Sequence, residues 1–119
     1  MKLRIRGNSI RLRLTKGEVA RLAAGDPVSE TVELSPTKLV YELFPDREST
    51  PARATFDAGR LRVSVPAERL KLWALSDAVG IEEESGPRIL IEKDFACAKP
   101  RAGEDDSDMF DNPAEETQC

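Results

Sequence analysis

The chain reads as an α+β domain: a duplicated ββαββ unit with about eight mainly antiparallel strands and two short helices. Three observations predict this. Residues 2–45 align with residues 53–96 at a constant offset of 51, without gaps. Within each unit, apolar residues alternate with the two-residue period of half-buried strands, broken once by a short stretch of helical spacing. No crossover helix of adequate length recurs, which disfavours all-helical and parallel α/β architectures. Eight strands in the first 95 residues predict either a closed barrel, which removes exposed edges, or one strongly curved sheet with both helices on one face.

The first unit opens with Lys2-Leu3-Arg4-Ile5-Arg6, apolar and basic in alternation. Gly7-Asn8 offers a turn that tolerates positive φ, and Ile10, Leu12 and Leu14 resume the alternation, so residues 2–14 form a hairpin. Thr15 with Glu18 has the spacing of a capping box, and Val19, Leu22 and Ala23 give the following helix one apolar stripe. Gly25-Asp26-Pro27 stops it. Strands around 28–34 and 38–44 follow, joined at Ser35-Pro36.

The second unit repeats the plan. Ala54 and Phe56 stand for Leu3 and Ile5, and Ala58-Gly59 for the turn. Leu61, Val63 and Val65 follow, then Pro66 at a first helical position and Leu70, Trp73 and Ala74 on the helix stripe. Val79, Gly86-Pro87, Leu90 and Phe95 fall on Val28, Ser35-Pro36, Leu39 and Phe44. The 44 aligned pairs contain eight identities, where ordinary composition supplies roughly three. The agreement of turns and helix starts weighs more, because turn chemistry follows backbone geometry.

Residues 1–98 form one duplicated β-rich domain, and residues 99–119 an acidic tail. With 39% apolar residues and six aromatics, the core is mainly Leu, Ile and Val. No run of 18 apolar residues and no apolar signal core occur, so a cytoplasmic, bacterium-like setting without membrane association is expected. Two cysteines, Cys97 and Cys119, fit a reducing compartment.

Charge is divided unevenly. The net −4 conceals residues 1–102, with 18 basic and 15 acidic groups, and residues 103–119, with seven acidic and none basic. The first sixteen residues hold six basic and no acidic side chains. Alternation puts Lys2, Arg4 and Arg6 on one strand face, with Arg11 and Arg13 on the next strand and Arg60 and Arg62 on its repeat partner. Guanidinium groups suit carboxylates and phosphates, so Arg4, Arg6, Arg11, Arg13 and Arg62 are candidate anion-binding residues. The plainer alternative is a solvated face neutralised by cross-strand glutamates such as Glu30, Glu33 and Glu42. Nucleic acid is not expected as a partner: the pI is near 5.0 and no aromatic residues interleave with the arginines.

No histidine, glycine-rich phosphate loop, nucleophile elbow or Cys-x-x-Cys pair is present. Begun at its second strand, the repeat is similar in topology to the duplicated plan of the triphosphate tunnel enzymes. That resemblance implies a basic barrel lumen for a polyphosphate and a Mg or Mn ion on Glu82, Glu84 and Glu92, with Asp94 nearby. The family's initial Glu-x-Glu-x-Lys strand is absent, since this chain begins Lys2-Leu3-Arg4-Ile5-Arg6.

In the tail, Glu104-Asp105-Asp106-Ser107-Asp108 is followed directly by Met109-Phe110. Such a segment is expected either to fold back, its acids against the first hairpin's arginines and Phe110 in an apolar groove, or to dock a separate partner. The opening Lys2-Leu3-Arg4-Ile5-Arg6-Gly7-Asn8-Ser9-Ile10-Arg11-Leu12-Arg13-Leu14, the run Glu92-Lys93-Asp94-Phe95-Ala96-Cys97 and the Glu104-Asp105-Asp106-Ser107-Asp108…Asn112-Pro113…Cys119 ending resemble a family of short uncharacterised bacterial proteins. The resemblance brings no activity. It implies that both termini belong to the design, with an ordered tail and a role for Cys97 or Cys119. The expected function is a small cytosolic, non-catalytic binding or protein-interaction module with no cofactor. Its arginine-rich face meets an anionic small molecule, a protein partner or its own tail. The alternative is a tunnel-type, metal-dependent phosphohydrolase. The sequence sets no oligomeric state.

Overall fold

A computed structural model describes residues 1–48, 51–84 and 86–95. The expectations for Cys97, Cys119 and the tail lie outside these residues. The chain forms β1 (Lys2–Arg6), β2 (Ser9–Leu14), α1 (Lys16–Ala23), β3 (Val28–Val32) and β4 (Leu39–Asp46), then β5 (Arg53–Asp57), β6 (Arg60–Pro66), α2 (Ala67–Leu75), β7 (Gly80–Glu83) and β8 (Arg88–Lys93). The ββαββ order thus occurs twice. Helix α1 starts as its sequence predicts: Thr15 Oγ1 accepts from the Glu18 amide, and the Glu18 carboxylate accepts from the Thr15 amide. Helix α2 starts one residue later than expected, with Pro66 as its cap rather than its first residue.

The strands do not close into a barrel or merge into one curved sheet. They form two separate four-stranded sheets, ordered β1-β2-β8-β7 and β3-β4-β6-β5. The outer pairs are antiparallel hairpins, but the central pairs β2–β8 and β4–β6 are parallel. The reason is the helix in each half. It leads the chain out of the sheet that holds the first hairpin and into the opposite sheet, where the second hairpin is laid down. Each sheet therefore combines the first hairpin of one half with the second hairpin of the other, and hairpins from different halves meet in parallel. A search for a crossover helix between sequential strands does not detect this, because the parallel partners of β2 lie in the distant half of the chain.

The inner faces of both sheets and the two helices share one apolar core. Leu12, Leu14, Ile89 and Ile91 come from the first sheet, Val28, Leu43, Val63 and Val65 from the second, and Leu22, Leu70 and Trp73 from the helices. The pairing register also corrects the gapless self-alignment. The 51-residue offset holds through the first hairpin: Leu3 pairs with Leu12, and Ala54 with Val63. Beyond the helix it breaks. Leu12 faces Ile91 as Val63 faces Leu43, so Leu43 corresponds to Ile91, and through the next pairings Val28 corresponds to Ile81. Burial agrees: Val28, Leu43, Ile81 and Ile91 are all in the core, while Val79 and Phe95, the gapless counterparts of Val28 and Phe44, are exposed. The slip has two sources: the segment from the helix to Ile81 is two residues longer than that to Val28, and the shorter connection between β7 and β8 then more than reverses it.

Met1 is held at the junction of the two sheets. Its side chain is buried, and its α-amino group donates to Glu18 Oε2 and lies 3.3 Å from Glu30 Oε2. The Tyr41 hydroxyl sits 3.2 Å from Glu30 and 3.3 Å from the Met1 carbonyl. Burial alone disfavours the charged amine, but hydrogen bonds and charge from Glu18 and Glu30 outweigh it and raise its pKa. Burial likewise opposes the charged Glu18, and the amine and the Thr15 amide more than offset it, lowering its pKa. Tyr41 is shifted up by burial and by the Glu30 charge. Among the described residues, no helix is long and apolar enough to cross a membrane.

Candidate functional site

The outer face of the first sheet carries the arginines. Strand alternation sends Leu3, Ile10 and Leu12 inward and Lys2, Arg4, Arg6, Arg11 and Arg13 to the opposite face. The antiparallel register then sets Lys2 opposite Arg13 and Arg4 opposite Arg11. Like charges directly across a ladder are unfavourable, and here two such pairs are adjacent. The parallel β2–β8 seam adds to the face by placing Arg88 beside Ser9, and it supplies one carboxylate by placing Glu92 beside Arg13. Glu92 Oε1 lies 3.1 Å from Arg11 Nε and 3.7 Å from Arg13 Nε, so it ties these two guanidinium groups to the sheet. Lys2 reaches Asp94 at 3.1 Å. Arg4, Arg6, Gly7, Ser9, Arg11 and Arg88 line an open groove of about 420 Å³ at the turn end of the sheet.

The second sheet has the corresponding groove, of about 540 Å³, lined by Thr55, Asp57, Ala58, Arg60 and Arg62. These are the residues 51 positions after Arg4, Arg6, Gly7, Ser9 and Arg11, but their charge pattern differs. Thr55 faces Arg62, and Asp57 faces Arg60. Arg62 therefore does not join the other four candidate arginines. It donates to Glu42 Oε1 at 3.0 Å and lies 4.5 Å from the centre of the Phe44 ring, an ion pair and a cation–π contact that hold it on its own sheet. Glu42 thus neutralises Arg62, and Glu30 serves the Met1 amine. Neither pairs with the first-sheet arginines, where the cross-strand glutamate is Glu92.

The carboxylates of the tunnel reading do not converge. Glu82 accepts from Arg88 Nε at 2.6 Å, Glu84 lies 3.6 Å from the same guanidinium, and Glu92 faces Arg11 and Arg13. Among the described residues, no three acidic or thiol groups are placed to hold a metal ion. The tunnel itself requires a closed barrel with arginines pointing inward, whereas these arginines lie on a sheet face turned away from the core.

Two features escape sequence reasoning. Arg88 enters the groove only through the parallel seam, which nothing in its local sequence announces. Ile5 and Phe56, expected in the core, are instead 61% and 67% exposed. They occur at corresponding positions and flank an apolar cleft of about 350 Å³ between the two hairpins, lined also by Leu3, Ile10, Ala54 and Leu61. Strand alternation points them inward, but they sit near the turns, where the two sheets no longer cover each other.

No curated protein and no solved structure is significantly similar to the chain. Residues 1–114 match the family model DUF7009, a family of unknown function, so the match runs from the arginine-bearing hairpin into the acidic tail, and the chain belongs to that family.

Proposed function

We propose that the protein is a small non-catalytic binding module that holds an oxyanion, phosphate or carboxylate, on Arg4, Arg6 and Arg11, with Arg88, itself paired with Glu82, at the edge of the groove. The observation that carries this reading is the register of the first hairpin, which opposes Arg4 to Arg11 and Lys2 to Arg13. Such a register costs folding energy; Asp94 and Glu92 offset part of it at Lys2, Arg11 and Arg13, and an anion at the turn end of the groove adds to that compensation. The corresponding positions of the second sheet pair Thr55 with Arg62 and Asp57 with Arg60, so the fold does not itself demand the clustering. Recognition needs only the forked donors of arginine, with no metal and no group placed to make or break a bond. A cytoplasmic, bacterial setting belongs to the same proposal, supported by the scarcity of cysteine.

Inorganic tripolyphosphate without divalent ions tests it. A ligand specific for the native state raises the unfolding midpoint, so a concentration-dependent rise is expected, lost in Arg4→Gln/Arg6→Gln and kept in Arg62→Gln. No rise, or a rise abolished only by Arg62→Gln, overturns the assignment.

A further inference from the structure

The junction that holds Met1 occurs twice. The 51-residue correspondence of the hairpins and helices relates Met1 to Ala52 and Glu18 to Arg69. Beyond the helices Val28 corresponds to Ile81, which relates Glu30 to Glu83. The side chains of Met1 and Ala52 both lie in the core and fix the nitrogen of each residue in place. Each nitrogen meets a carboxylate on the edge strand of the opposite sheet. The Met1 amine lies 3.3 Å from Glu30 Oε2, and the Ala52 amide donates to Glu83 Oε1 at 3.1 Å. Recurrence at two segments of unlike sequence makes this a feature of the fold rather than an opportunistic contact of one amine.

The two junctions differ in the source of the cation. At Ala52 the nitrogen is an uncharged peptide amide, and Arg69 supplies the charge. Its guanidinium lies 3.0 Å from Glu83 Oε1 and donates to the Glu82 carbonyl, also at 3.0 Å. At Met1 the same helix position carries Glu18, a second carboxylate, and the cation that meets both Glu18 and Glu30 is the α-amine itself. The α-amine thus stands in for the guanidinium of the other half. An acyl group on that nitrogen would make it what Ala52 is, one N–H without charge. Glu18 and Glu30 would then lose the cation they share, and like charges in a partly buried site are unfavourable.

We propose that the α-nitrogen of Met1 is a modification-controlled site: the free amine completes the first junction, and acylation of that nitrogen opens it. The switch turns on by hydrolysis of the acyl amide. Water adds to the acyl carbon, the C–N bond breaks, a carboxylate leaves, and the nitrogen takes both of the water's protons to become an ammonium. Once folded, the amine lies between Glu18 and Glu30 beside the Tyr41 hydroxyl, so the acyl group is set or removed before the first hairpin packs. None of the groove arginines takes part, so the switch stands or falls separately from the anion face.

The test compares melting midpoints of the full chain with a free and with an acetylated α-nitrogen, each checked by mass. Acetylation is expected to lower the wild-type midpoint by about 5–10 °C, the effect of losing a partly buried ion pair in a domain of this size. Glu18→Arg gives the first helix what Arg69 gives the second. Its acetylated form should melt at or above its free form, because the introduced guanidinium takes over Glu30 and the free amine becomes a surplus cation. In Glu18→Gln a single carboxylate is left behind, so acetylation should cost less than in wild type. Each comparison is made within one variant, so the lost capping box cancels. Equal midpoints for free and acetylated wild type overturn the proposal. A loss of the same size in all three chains also overturns it, since that marks obstruction by the acetyl group rather than loss of charge.

Discussion

Glu18→Gln and Glu18→Ala together isolate the energetics of the Met1 site. Glu18 makes two kinds of contact: it closes the capping box on Thr15, and it receives the Met1 amine. Glutamine can keep the cap with its single carbonyl oxygen, which turns its NH2, a donor, toward the amine, so the substitution removes both the charge and the acceptor at Met1. The amine is partly buried and the Glu18 side chain is 18% exposed, which places the pair between the exposed and buried limits. Exposed pairs contribute up to about 1 kcal/mol, and stripping a partner from a buried charge costs about 3–5 kcal/mol. Glu30, 3.3 Å from the amine, still compensates part of the charge, so Glu18→Gln is expected to cost about 1.5 kcal/mol. Glu18→Ala loses the cap as well, about 1 kcal/mol more. Urea unfolding at neutral pH, analysed at constant m, measures both.

The pH dependence provides a sharper criterion. The amine pKa is raised from its usual 8.0, so its contribution is full below that value and disappears as pH rises through the folded value. The Glu18 pKa is lowered from its usual 4.5, so its contribution is full above that value and disappears as pH falls through the folded value. The gap between wild type and Glu18→Gln should therefore be widest between about pH 4.5 and pH 8 and narrow on both sides. A gap that persists at high pH, or a Glu18→Gln variant as stable as wild type near pH 6, refutes the ion-pair account.

Two further predictions concern the core and the turns. Leu43 is fully buried on the strand that forms the parallel seam with β6, so Leu43→Ala should cost about 2–5 kcal/mol by urea unfolding. Gly59 and Gly7 both have positive φ, but a Cβ on Gly59 would lie 2.8 Å from the Lys38 carbonyl, whereas one on Gly7 meets nothing within 4 Å. Gly59→Ala should therefore lower the melting temperature clearly more than Gly7→Ala, whose cost of about 1 kcal/mol reflects only the left-handed backbone.

What the sequence makes legible here is local. Alternation at Leu3, Ile10, Leu12 and Leu14 announces the hairpin, and Thr15 with Glu18 announces the helix start, because these depend on neighbours a few residues away. The partner of β2 depends on which layer each helix delivers the chain to, and residues 88–93 carry no mark of it. That one omission explains the expected barrel, the missing Arg88 and the inclusion of Arg62, because each follows from sheet membership. The slip from 51 residues to the Leu43–Ile91 correspondence has a different origin. Loop length changes register without changing the alternation that a sequence displays.

The exchange of hairpins between halves also bears on concentration. A lone ββαββ unit with this plan would leave one long edge of β2 and one of β4 without partners, and a second copy would satisfy both by contributing its own hairpins. Such an assembly would be a dimer whose stability rose and fell with the amount of protein present. Joining the two units through the segment between β4 and β5 makes the association intramolecular and sets it by an effective molarity instead. It also frees the two copies from being identical. One outer face can then gather Arg4, Arg6 and Arg11 while its counterpart carries Thr55, Asp57 and Arg62, a division of labour denied to a symmetric pair.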